Sequence, residues 1–352
     1  MAYQFNLEEE VKRLRQKYDK AVMRYSSHSE EGFLDFDVYE GLIYAAKDML
    51  ITGRDHRLRE DEESYGDLPH TLYVFEIMME LVFSEKCSPD EVTIGLTAAL
   101  LHDIGYAVMA ESGYDVSHGF QKADMRVGHM KEGAVFVKEL LRNPEFELYY
   151  TDDQIQRICG IIEVHDNPSV PYEKDGVKYK GVPLDITDRL LYMHREADRM
   201  WMSSEEGFDN DFRGRLEHGE TTPEEHLKWV VNSHTREKGL YQDDGNFRGG
   251  LLFRTPRAYE IFLGNVKAIV KRYGIEEIPP QVLHLFEIRK ELKVASAIEL
   301  YNNGGVSLGK AAEIAGVTIV EFKELLAKRG IYRELEVESA EEIDEKVRSL
   351  SD

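Results

Sequence analysis

His102 and Asp103 stand side by side in an otherwise apolar stretch that runs from Ile94 to Ile104. An imidazole and a carboxylate taken out of water cost several kcal/mol unless they are paired or bind a metal. Other groups of ligand type recur at long intervals, each on the apolar stripe of its own predicted helix. His70 shares a stripe with Val74, Ile77 and Leu81, and Asp103 with Val92, Leu96 and Ala99. His129 opens the helix whose stripe is Met130, Ala134, Val137 and Leu141. His165 closes a stripe of Ile155, Ile158 and Ile162, and Asp198 falls in line with Leu191, His194 and Trp201. Steps of three and four put residues on one helix face, here the face turned to the core. One such histidine is ordinarily a packed core residue. His70, His102, His129 and His165 together with Asp103 and Asp198 would need separate hydrogen-bond explanations, which a shared metal centre replaces.

Mixed imidazole and carboxylate ligands suit one or two divalent transition ions (Mn, Fe, Co, Ni or Zn) better than Ca. Two close ions lower the pKa of a bridging water and clamp the attacking and leaving oxygens. The chemistry expected is attack of metal-activated hydroxide on a phosphomonoester or phosphodiester. Asp103, His129, His194 and Arg199 are the candidate catalytic groups. Lys122, Arg126 and Lys131 near His129, with Arg195 before Asp198, are candidates to hold the phosphate; each alone reads more readily as a solvated surface charge. His118 lies in an irregular stretch. Asp185 and Asp188 read as caps of a helix starting near Ile186.

The order His70, His102-Asp103, Asp198, with the strings Leu-Leu-His-Asp-Ile-Gly and Ala197-Asp198-Arg199, resembles the HD superfamily of metal-dependent phosphohydrolases over about residues 65–202. By that resemblance His70, His102, Asp103 and Asp198 bind a first metal. His129 and His165 match the extra histidines of the binuclear branch, with Asp103 as the bridge. The ligand pattern is also similar to that of HD-GYP phosphodiesterases and of mixed-valent diiron oxygenases. The chain departs from HD-GYP proteins: Tyr106 stands where they carry Lys, and His165-Asp166-Asn167-Pro168 stands where a His-His-Glu string is expected. Asp166 then either ligates or orients His165 from behind. Two other readings stay open: an oxygen-activating diiron enzyme, and a regulator that senses a nucleotide without turning it over.

The elements that must position these groups are helical, because strand alternation is nearly absent. The expected fold is all-α. Its parts are an N-terminal helix at 1–29, an HD bundle at 30–205, a helical extension at 206–280, a helix-turn-helix-like unit at 281–333 and an acidic tail at 334–352. Ser88-Pro89-Asp90-Glu91 starts the helix that is expected to carry His102 and Asp103. Residues 107–127 read as irregular, a lid or pocket wall, and 203–222 as an acidic, Gly-rich linker. A small hairpin is expected around Lys174–Lys178. In the C-terminal unit Ser307 caps one helix, Gly316 makes the turn and Thr318 caps the next, the spacing of a helix-turn-helix. About residues 292–333 resemble a small uncharacterised prokaryotic family of such proteins, some antitoxin-like, which implies possible DNA contact; Glu321, Lys323, Glu324, Lys328 and Arg329 do not form a basic footprint, so packing or oligomerisation is the competing role.

Composition sets outer limits. A net charge of −23, from 44 basic and 67 acidic residues, speaks against a general nucleic-acid or anionic-membrane binder, though not against a small phosphorylated substrate. The two cysteines, Cys87 and Cys159, have no CxxC spacing, and a reduced cytoplasm is expected. The N-terminus shows neither a basic n-region nor an apolar h-region, so no signal peptide is expected. The longest apolar run falls short of the roughly 20 residues of a membrane span.

Overall fold

A computed structural model describes residues 6–25, 32–52, 68–111, 123–166, 171–174, 177–180, 188–218, 221–235, 253, 255–275, 294, 297–298, 301–302 and 306–331. The chain divides into two compact units, Met1–Val282 and Leu283–Asp352.

The first unit is helical. Its elements are α1 (Leu7–Tyr25), α2 (Phe36–Thr52), α3 (Leu68–Ser84), α4 (Pro89–Leu101), α5 (Ile104–Glu111), α6 (Ala123–Leu141), α7 (Asp152–Ile162), α8 (Arg189–Met200), α9 (Glu205–His218), α10 (Pro223–Thr235) and α11 (Pro256–Tyr273). The expected hairpin is present as β1 (Pro171–Lys174) paired antiparallel with β2 (Val177–Lys180), Tyr172 opposite Tyr179.

Local chemistry sets the helix starts. Ser88 accepts from Glu91 N and Glu91 reaches back to Ser88 N, with Pro89 in the first turn of α4. Thr151 and Gln154 make the same reciprocal pair at α7, and Asp188 caps α8 through Leu190 N and Leu191 N. α4 lies at the centre: from Val92 to Leu101 every residue is buried, between α3, α7 and α8. α6 packs on both α5 and α7, and α1 covers α2 and α3. The stretch Pro89–Met109 is apolar and long enough to cross a membrane, but it is almost wholly buried in the protein's own core.

Three expectations change. α4 stops at Leu101, so His102 and Asp103 sit in the turn between α4 and α5 rather than inside one helix. The irregular stretch shrinks, because α5 continues to Glu111 and α6 starts at Ala123, before His129. What holds α5 there is Gly105: a Cβ on it would lie 1.8 Å from the carbonyl oxygen of His129, so only glycine lets the two backbones meet. The linker expected at 203–222 is largely α9. Phe208 is buried there against Phe212, His226 and Tyr273, an apolar anchor that the acidic composition concealed.

The second unit has its own core. Helical residues Val294, Ala297, Ile298 and Tyr301 pack with α12 (Leu308–Ala315) and α13 (Ile319–Lys328) through Ala311, Ala312, Ala315, Phe322 and Leu326. Ser307 caps α12, Gly316 (φ 66°) ends it, and Thr318 with Glu321 forms a capping box on α13. The acidic tail at 334–352 and the Gly-rich stretch at 242–250 lie outside the described residues.

Candidate metal centre

Five segments bring His70 (α3), His102 and Asp103 (the α4–α5 turn), His129 (α6), His165 (the turn after α7) and Asp198 (α8) to one place. Asp103 is the middle of the set. Its Oδ2 lies 3.5 Å from His70 Nε2 and 3.4 Å from His102 Nε2. Its Oδ1 lies 3.5 Å from His129 Nε2 and 3.3 Å from His165 Nε2. Asp198 Oδ1 is 3.3 Å from His70 Nε2 and 3.7 Å from His102 Nε2. The paired Nε2 atoms are 3.1 Å apart for His70 and His102, and 3.3 Å apart for His129 and His165.

These separations fit the edges of coordination polyhedra. Ligand atoms about 2.1 Å from one ion stand roughly 3.0–3.5 Å from each other in tetrahedral or octahedral geometry. Two of the rings are also held in the tautomer that ligation through Nε2 needs. The Nδ1 atom of His102 donates to the Ala99 carbonyl at 2.9 Å, and that of His165 to the Ile162 carbonyl at 2.8 Å. A carbonyl can only accept, so Nδ1 carries a proton; in the neutral ring this leaves the Nε2 lone pair for a metal ion, and without one Nε2 can take a proton shared with Asp103. Both carbonyls belong to the last turns of α4 and α7, where helix geometry leaves them unpaired. Ending each helix just before its histidine therefore supplies the acceptor that fixes the tautomer, which is why the ligands stand past the helix ends. The Ile162 carbonyl orients His165 through Nδ1, and Asp166 is held by Arg199.

The electrostatics favour positive charge at the cluster. Burial opposes a charge on His70, yet hydrogen bonds to Asp103 and Asp198 outweigh it and raise its pKa to about 9. His165 is raised in the same way: burial works against the proton and Asp103 overcomes it. Asp198 is held far below the usual carboxylate range; burial opposes this, and His70 leads the groups that overcome it. The carboxylates thus draw in positive charge, which a divalent ion supplies as well as protons do. The other anomaly is His194, fully buried with both ring nitrogens lacking a hydrogen-bond partner among the described residues. Its ring lies 5.3 Å from that of His102 and 5.7 Å from that of His165. Burial, then His102 and His165, hold it well below the usual imidazole range, so it stays neutral. Leaving such nitrogens unpaired costs about 1–3 kcal/mol each, a cost that a bound water or ligand oxygen removes.

The remaining expectations fare unevenly. Arg199 donates to Asp166 at 2.8 Å, which ties the residue after Asp198 to the residue after His165. Arg195 is 1% exposed, buried rather than solvated. Lys131 is exposed, on the face of α6 that also presents Val135 and Lys138. Lys122, His118 and Asp185 lie outside the described residues, as does the side chain of Arg126; Asp188 serves as a cap. Two aromatic residues close to the ligands were not assigned from sequence. Tyr106 stacks on His129 at 3.9 Å and 13°, and Trp201 stands edge-on to His70 at 5.5 Å. Their signals were the aromatic three residues after Asp103 and the one three residues after Asp198.

Comparison with known proteins agrees with this picture. Residues 68–200 match the HD domain, and every ligand candidate falls inside that range. The first unit thus carries the domain of a superfamily of metal-dependent phosphohydrolases, whose members bind divalent metals. Residues 276–349 match an uncharacterised protein family, UPF0175. The chain is 49% identical over 53 residues to a UPF0175 protein of Halobacterium salinarum, covering 15% of this chain and 54% of the relative. It is 41% identical over 64 residues to one of Aeropyrum pernix, covering 17% and 72%, and 52% identical over 44 residues to one of Archaeoglobus fulgidus, covering 12% and 51%. The chain spans about half the length of the first and third of these relatives. Through its C-terminal unit the chain belongs to the UPF0175 family.

Proposed function

We propose that the first unit is an enzyme that hydrolyses a phosphomonoester or phosphodiester of nucleotide type at a centre of two divalent transition metal ions. The observation that carries this is Asp103, whose two oxygens face different histidine pairs. His70, His102, Asp198 and Asp103 Oδ2 would hold one ion; His129, His165 and Asp103 Oδ1 would hold the other. Such ions supply Lewis acidity, lowering the pKa of water and neutralising phosphoryl oxygens. The chain's own part is positional. His194, neutral and unpaired, offers a ring nitrogen to the attacking water. Arg199, steadied by Asp166, flanks Asp198 and takes a phosphoryl oxygen; Lys122 and Arg126 are assigned the same duty from their place in the chain before His129. Water adds to phosphorus, the ester P–O bond breaks, and the alcohol leaves with a proton. Elemental analysis of the purified protein, followed by a phosphatase and nucleotidase panel with the metal found, tests this. Asp103→Ala should abolish both metal content and turnover, and full turnover in that variant would overturn the reading.

For the C-terminal unit we infer a packing or oligomerisation role in preference to DNA reading. At the start of α13, Ile319 is 48% and Val320 67% exposed, and the helix mixes acidic and basic residues. A mobility-shift assay should show no salt-sensitive binding to duplex DNA; a complex at low salt that dissolves as salt rises would reverse the preference.

A further inference from the structure

We propose that Trp201 and Tyr73 form a subsite for a planar heteroaromatic ring, the base of a nucleotide whose phosphate sits at the metal centre; this rests on the phosphohydrolase reading above.

The first argument is access. The side chains of Asp103, His102, His129 and His165 are 3% exposed or less, whereas His70 is at 12%, Asp198 at 16% and Arg199 at 25%. A substrate therefore meets the centre along the His70–Asp198–Arg199 edge. Trp201 lies on that edge. It is half-buried, its ring 5.5 Å from His70 and 5.3 Å from Tyr73, steeply inclined to both. It follows Asp198 by three residues, close to one helical turn of about 5.4 Å, a span that a ribose bridges between phosphate and base.

The second argument is preorganisation. The Trp201 carbonyl accepts from Ser204 N at 2.9 Å and from Ser204 Oγ at 2.7 Å. Gly207 presses on the same carbonyl, where a Cβ would stand 2.1 Å away. Asn265 of α11 donates to Tyr73 OH at 2.9 Å and to Ser203 Oγ at 3.2 Å. The Trp201 backbone and the Tyr73 hydroxyl are thus fixed at the open edge before any ligand arrives, which lowers the ordering cost of binding. The indole N–H makes no hydrogen bond to a described residue, so it is available to an acceptor on a base. The edge combines a phosphate-binding centre, a guanidinium and an aromatic wall, the complement of a nucleotide.

The test compares AMP with ribose 5-phosphate, which lacks only the base, on the metal-loaded full chain. Binding is read by stopped-flow tryptophan fluorescence before turnover. A Trp229→Phe background leaves Trp201 as the sole reporter, and ribose 5-phosphate is measured by displacement of AMP. AMP should quench Trp201 and bind more tightly than ribose 5-phosphate, by roughly the 5- to 150-fold that stacking of one base provides. Trp201→Ala should erase that preference at unchanged metal content, and Trp201→Phe, which keeps a flat face, should restore most of it; in these two variants, which have lost the reporter, affinity is read by rapid filtration of radiolabelled AMP and its displacement by ribose 5-phosphate. Equal affinities for the two ligands in the parent protein, or an undiminished preference in Trp201→Ala, would overturn the subsite and leave the phosphohydrolase reading standing. Failure of both ligands to bind the metal-loaded chain would overturn the subsite; the phosphohydrolase reading falls with it only if the phosphatase and nucleotidase panel also shows no turnover.

Discussion

Asp103 and Asp198 are both carboxylates in the same cluster, but their geometry gives them different consequences. Asp198 approaches only His70 and His102, through one oxygen. Asp103 divides its oxygens between that pair and the pair His129 and His165. Asp198→Ala should therefore lower bound metal by about one ion per chain, and Asp103→Ala should remove both, because each ion loses a charged ligand. Elemental analysis of the two variants beside the parent decides the matter; equal losses would argue for a single ion. Neither substitution leaves the other carboxylate well placed, since four imidazole nitrogens then share one negative group. At this scale the chain announced its ligands by type and stripe, but not the residues that hold them. Tyr106 read only as a departure from a pattern. Its stacking on His129 is a three-dimensional fact, arising because Gly105 lets α5 touch α6 at His129 itself.

Among the helices, α4 and α8 are joined at their starts by one side chain. Glu91 closes the capping box of α4 and also pairs with Arg189 in the first turn of α8. Arg189, foremost, holds the Glu91 carboxyl down to about 2. In the unfolded chain a glutamate titrates near 4.3, so this contribution to stability is complete above that pH and is lost as pH falls toward about 2. Glu91→Ala should lower stability at pH 7 by about 1 kcal/mol, the usual loss of a cap. In chemical denaturation the gap between parent and variant should close between pH 5 and pH 2; a gap that stays constant would show that the Arg189 pair contributes nothing. The caps were the most legible part of the fold, because Ser88, Asp188, Ser307 and Thr318 act within four residues of chain. Helix ends at His102 and His165 were not legible, since they depend on which carbonyl a buried ring can reach. Nor was α9, whose acidic surface resembles a linker until Phe208 meets Tyr273 from α11, 65 residues later by number.

Over the whole chain, two cores of different kind are covalently joined. The first unit buries its ligand cluster among α3 to α8, so a cation there belongs to the folded state and is released when that unit opens. A metal that binds only the folded form raises stability by RT ln(1 + [L]/Kd), about 4 kcal/mol at a thousandfold excess over Kd. The second unit rests on Ala311, Ala312, Ala315, Phe322 and Leu326, an apolar core with no ligand cluster among its described residues. Separate cores open separately when little stability is shared between them. Calorimetry of the intact chain should then show two transitions. Chelation should lower the first unit's transition by several degrees and leave the second where it was, and re-adding the metal found on purification should reverse the change. Tryptophan fluorescence assigns them: Trp201 and Trp229 both lie in the first unit, so the transition without a tryptophan signal belongs to the second. One transition that moves as a whole on chelation would mean that the units unfold together and that the UPF0175 unit draws its stability from the HD unit's metals.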